Sequence, residues 1–162
     1  MTRIFIIFFL LCTVSYFSQS ASELEELMEA CGRGDVKTIK SYLVSGIRVN
    51  SKSDSGRLAG KTPLMIASMK GKREVVRLLL ENGAEVNMKE DASGSIKRQP
   101  YDGWTALFYA ADSDHEEVVR ILVSNGADVN MKTKAGITPL SLAKLWQNEE
   151  MVRTLKNAGA VE

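Results

Sequence analysis

The chain has 162 residues, 21 basic and 20 acidic side chains, one histidine and two cysteines. That length suits one modest domain. A net charge of +1 gives no general pull toward nucleic acid, and two cysteines cannot build a disulfide framework.

Residues 1–20 stand apart in composition. A short basic start ends at Arg3, Ile4 to Phe17 is mostly apolar, and Ser18, Gln19 and Ser20 precede Ala21. These proportions predict a secretory signal peptide cleaved near Ala21. An uncleaved anchor through residues 4–17 is the alternative, but the run falls short of the roughly 17–25 residues a spanning helix needs. After cleavage Cys31 is the lone cysteine. Export without disulfides points to a bacterial periplasm more than to an animal extracellular space.

Residues 21–162 then read as repeated helix pairs, in units of about 22–52, 53–88, 89–131 and 132–162. In the first unit Leu24, Leu27, Met28, Ala30 and Cys31 form one apolar helix face, and Glu23, Glu25, Glu26 and Glu29 form a polar one suited to a terminal cap. In the second, Thr62 and Pro63 open a helix, Gly71 ends it, and Val75, Val76, Leu78, Leu79 and Leu80 make the next. The third repeats this from Thr105 to Val129, and the fourth from Thr138 to Ala160. Thr105 to Thr138 and Gly126 to Gly159 are each 33 residues apart. Leu64, Leu107 and Leu140 fall at one register position and are predicted core.

This pattern resembles the ankyrin-repeat family over about residues 22–162. The resemblance implies an all-α solenoid of about four helix-turn-helix units joined by β-hairpin-like loops. Its departures are specific. The histidine of the Thr-Pro-Leu-His motif is replaced by Met65, Phe108 and Ser141, which predicts less rigid loops. Ala106 stands for the proline in the third unit, and Asp114 and Gln147 occupy the inter-helix glycine slot. The spacing Gly83 to Gly126 is 43, so a long finger of about ten extra residues lies between Met88 and Tyr101.

No Ser/His/Asp or Cys/His set aligns with catalysis, and His115 has no company for a metal site. The chain is expected to be a monomeric, non-enzymatic protein-binding module of the cell envelope. It is expected to need no cofactor or metal and to bind no nucleic acid. An inhibitor or immunity-type protein that occludes the active site of a toxin or hydrolase is the alternative. The resemblance implies a partner-binding face at the hairpin tips and the exposed side of each first helix. It carries Leu58, Ala59, Lys61, Met69 and Lys70 from the second unit, and Tyr101, Asp102, Trp104, Asp112 and Ser113 from the third. Lys134, Ile137, Leu145 and Trp146 come from the fourth. Tyr101, Asp102, Trp104 and the finger from Lys89 to Pro100 are expected to form one recognition site, with Trp104 exposed as its anchor. Packing under the finger is the alternative role for Trp104, and closing the last unit is that for Trp146. Charge is also uneven, with eight basic and two acidic residues between Arg48 and Arg77, and six acidic and one basic between Asp102 and Asp128.

Overall fold

The computed structural model describes residues 21–54, 56–91 and 103–161. The predicted signal peptide, Tyr101, Asp102 and most of the finger lie outside the described residues. The fold is a row of four helix pairs. Helix α1 covers residues 21–33 and pairs with α2 (Val36–Val44). The later pairs are α3 (Pro63–Met69) with α4 (Arg73–Glu81), α5 (Ala106–Asp112) with α6 (Glu116–Ser124), and α7 (Pro139–Leu145) with α8 (Glu149–Asn157). No β-strand occurs among the described residues, and no helix there is long and apolar enough to cross a membrane.

The first helices start where capping chemistry dictates. The Met65 N–H donates to Thr62 Oγ1 at 3.3 Å, and the Thr62 N–H returns to Met65 Sδ at 3.4 Å. Ser141 does the same for Thr138, at 3.0 and 2.9 Å. Two of the three substitutes for the family histidine therefore close a capping box, which satisfies two otherwise free backbone N–H groups. The third, Phe108, has no polar atom to offer, and Thr105 makes no side-chain cap bond. Helix α5 is held by packing instead, since every residue from Ala106 to Ala111 is buried.

The second helices start on Asp35, Lys72, His115 and Asn148. Asp35 accepts from the Thr38 hydroxyl at 2.7 Å and the Thr38 N–H at 3.1 Å. These bonds, the hydroxyl's first, hold its carboxyl below the usual range. A depressed folded-state pKa means stability that is present above the unfolded carboxylate's pKa and is lost as pH falls through the folded one. Asp35→Asn keeps a capping oxygen without the titration. Urea midpoints measured from pH 5 downward should therefore fall less for this variant than for the wild type.

Turns between paired helices need a left-handed residue. Gly34 and Gly71 supply it with φ of 84° and 64°. Asp114 and Gln147 are forced into the same region at φ 60° and 55°, where a Cβ is strained. Gln147→Gly is expected to raise stability by up to about 1 kcal/mol in thermal or urea melts.

Stacking is registered by two recurring contacts. Along one edge an asparagine of each unit grips the next unit's loop. The Asn50 amide donates to Gly83 O at 3.0 Å and accepts from the Glu85 N–H at 2.8 Å. Asn87 does this to Gly126 and Asp128, and Asn130 to Gly159 and Val161. Along the other edge, the residue that starts each second helix reaches back over the preceding unit's turn. Lys72 lies over Gly34, and Asn148 Nδ2 donates to Asp114 Oδ1. His115 Nε2 is 3.2 Å from Met69 O, with its ring so near Gly71 that an added Cβ would sit 2.7 Å from it. These contacts tie adjacent loops although the family histidine is missing.

Leu64, Leu107 and Leu140 are all buried between units, as their shared register predicts. Cys31 is buried too, and that burial pushes its thiol up to about 12, which leaves it unreactive near neutrality. The first helices α3, α5 and α7 pack against one another more closely than the second helices do. Exposed Ser141 and Lys144 replace the buried pair Phe108 and Ala111 of the preceding unit, and partly buried Thr154 replaces Ile121. The outer side of the fourth unit is thus more polar than that of the third.

Candidate protein-docking face

The finger leaves the stack from a built root. The Glu90 N–H donates to Trp104 O at 2.7 Å, the Gly103 N–H donates to Glu90 O at 3.3 Å, and the Asp91 N–H donates to Gly60 O at 3.3 Å. Gly60 is required here, because a Cβ on it would lie 2.0 Å from Asp91 O. Glu90 is 5% exposed, and its carboxylate accepts from Lys61 Nζ at 2.6 Å and from the Tyr109 hydroxyl. The Lys61 ammonium also lies 5.7 Å from the Tyr109 ring centroid. Lys52 pairs with Asp91 at the rim. Both ends of the finger are thus fastened to the second and third units, close to one another.

This root corrects two expectations. Trp104 is not an exposed anchor; it is 4% exposed. Its ring stacks on Phe108 at 5.7 Å and meets Tyr109 edge-on at 5.2 Å. The cause lies in local helix geometry. Trp104 is the residue before the Thr105 cap of α5 and Tyr109 is the fourth residue of that helix, the two positions that a hydrophobic staple brings together. Lys61 is not a free groove cation either. Its side chain is 12% exposed, and its charge is engaged by Glu90. Neither side chain is presented to a partner.

The other proposed residues divide. Tyr101 and Asp102 lie outside the described residues. Met69 is partly buried, and its carbonyl is taken up by His115. Ile137 is partly buried against the core, in a tight turn where its N–H donates to Thr133 Oγ1 at 3.1 Å. Asp112 and Trp146 are brought together: Trp146 Nε1 donates to Asp112 Oδ1 at 3.1 Å across adjacent units. That bond orients an indole that stays 60% exposed beside Leu145, itself 71% exposed. Val44 and Val161 are also exposed, but singly; Leu145 and Trp146 are adjacent, and contiguous exposed apolar side chains mark contact sites more than single ones do.

Lys70, Ser113 and Trp146 end α3, α5 and α7 at equivalent positions, and Arg33 ends α1. Met69, Asp112 and Leu145 form the neighbouring column. Together they line the first-helix side of the stack. The opposite, second-helix side is chemically different. Its third and fourth units carry an ion-pair network in which Arg120 meets Glu116, Glu117 and Glu150, and Arg153 meets Glu150 at 3.2 Å. Burial alone would raise the Glu116 carboxyl, but hydrogen bonds from Arg120 and Thr154 outweigh it, and the net shift is downward. A groove of about 530 Å³ between α6 and α8 is lined by Arg120 and Arg153 among others. Those charges are already satisfied within the protein.

Sequence reasoning missed Glu90 and Tyr109. Glu90 sits in a polar stretch that reads as loop, but it lies three residues after Asn87, the register that buries Ser53 and Thr133 after Asn50 and Asn130. Trp104 before the Thr105 cap and Tyr109 at the fourth helical position were the available signal for the aromatic cluster.

A family profile described as ankyrin repeats (3 copies) matches residues 5–90, 27–133 and 88–161. Two curated proteins are similar over shorter stretches. One is a BTB/POZ domain-containing protein 3 of Schizosaccharomyces pombe, 40% identical over 62 residues, covering 38% of this chain and 11% of that protein. The other is a mouse protein named for ankyrin repeat, SAM and basic leucine zipper domains, 39% identical over 67 residues, covering 41% of this chain and 13% of that protein. The chain thus spans only a small part of either relative's length.

Proposed function

The chain belongs to the ankyrin-repeat family, whose repeats are protein–protein interaction modules, and from that premise we propose that it binds a protein partner on its first-helix side, without catalysing a reaction. The observation that carries this reading is the exposed pair Leu145 and Trp146, with the indole oriented by Asp112. Two large apolar side chains held in water cost solvation that a partner would relieve. We place the protein in the cell envelope, on the strength of the apolar run at residues 4–17 followed by small residues before Ala21.

Affinity capture from the envelope fraction tests this. Wild-type protein should retain a partner that Leu145→Ser/Trp146→Ser loses, with both proteins equally folded by circular dichroism. Equal retention by the two would remove this face from the account. Mass spectrometry should place the mature N-terminus within a few residues of Ala21; an intact Met1 on membrane-embedded protein would reject the signal peptide.

A further inference from the structure

The two ends of the docking face differ in chemistry, and this constrains what it takes. Its first half is cationic. Between Arg33 and Glu81 the chain has eleven basic and four acidic residues. On the face itself Lys70 is exposed and has no carboxylate partner among the described residues. Arg33 is 61% exposed in a surface pair with Glu29 at 3.3 Å, which holds it only weakly. The last half is apolar, with Leu145 and Trp146 side by side. Between them, Ser113 is neutral, and the Asp112 carboxylate, which accepts from the indole N–H, keeps its negative charge and so favours the acidic groups of a partner lying toward Arg33 and Lys70. Resting on the protein-binding reading above, we infer that the partner segment is an acidic one bearing a large apolar or aromatic side chain. It lies with its acidic end over Arg33 and Lys70 and its apolar end on Leu145 and Trp146.

The orientation is fixed because the two halves cannot exchange ligands. An acidic group over the indole face meets its electron-rich side and desolvates without compensation, and an apolar group over Lys70 leaves the ammonium unpaired. Spacing is also constrained. Lys70 and Trp146 are two units apart, roughly 20 Å at ordinary helix-packing distances. An extended segment covers that in about six residues and a helix in about thirteen.

The test is selection from a phage-displayed library of random 16-residue peptides on the immobilised protein. The inference expects selected peptides to combine Asp or Glu with Leu, Phe or Trp at one of those separations. It also expects each to lose about tenfold or more in affinity against Lys70→Glu and against Leu145→Ser. Both positions are exposed, and a thermal melt of each variant confirms its fold. Trp146→Phe, which keeps an apolar ring, should retain most of the binding. Selected peptides that are neutral or basic, or that bind both variants as they bind the wild type, overturn the inference and leave the protein-binding reading standing. A library that yields no binder at all counts against both.

Discussion

Trp104→Ala is expected to destabilise the protein by about 3–5 kcal/mol, as buried aromatic truncations do. The ring fills the space between Phe108, Tyr109 and the finger root. Leu107→Ala, in the same packed layer, should cost about 2–5 kcal/mol. Trp146→Ala, by contrast, should stay within about 0.5 kcal/mol of the wild type, because the residue is exposed and gives up one surface hydrogen bond. Urea denaturation of the three variants separates the two tryptophans. Comparable losses at Trp104 and Trp146 would show that one of them is misplaced.

Glu90→Ala is the second large effect, at about 3–5 kcal/mol, the range for removing one partner of a buried ion pair. The substitution leaves the Lys61 ammonium, 12% exposed, without its carboxylate, and the Tyr109 hydroxyl loses the same acceptor. It should act on the finger as well. The backbone pairing of residue 90 with residues 103 and 104 sits directly on that ion pair. Hydrogen exchange at the Gly103 amide should rise by more than global destabilisation explains. Glu90→Ala/Lys61→Met removes both charges and should recover much of the loss, as measured by urea midpoints. A double variant no more stable than the single one would mean the pair is not what holds the root.

The helix order was legible because it rests on local chemistry repeated in register. Thr62 and Thr138 cap as a threonine before proline should, and Leu64, Leu107 and Leu140 are buried because they share one position in a periodic core. The turn slot was legible as well. Asp114 and Gln147 stand where glycine is usual and take the glycine conformation at a cost. The face was only partly legible. Trp146 and Leu145 are exposed on the expected column, yet Trp104 is buried although its position in the repeat marks it as a hairpin-tip residue. The position before the threonine cap packs inward in the second, third and fourth units alike: Lys61 and Ile137 are partly buried as well, and the N–H groups of Ser53, Glu90 and Thr133 donate to the carbonyls of Lys61, Trp104 and Ile137. The side chain that covers it comes from the preceding loop, which the local pattern does not show. Lys61 changes role for the same reason, since its partner Glu90 lies 29 residues away.

Site-specific photocrosslinking in the producing cell tests the central claim most directly. A benzophenone amino acid replaces Ser113, on the proposed face, or Ser124, at the end of α6 on the opposite side. The account predicts a discrete protein adduct from position 113 that the Leu145→Ser change abolishes, and none from position 124. An adduct from 124 with none from 113 would contradict it.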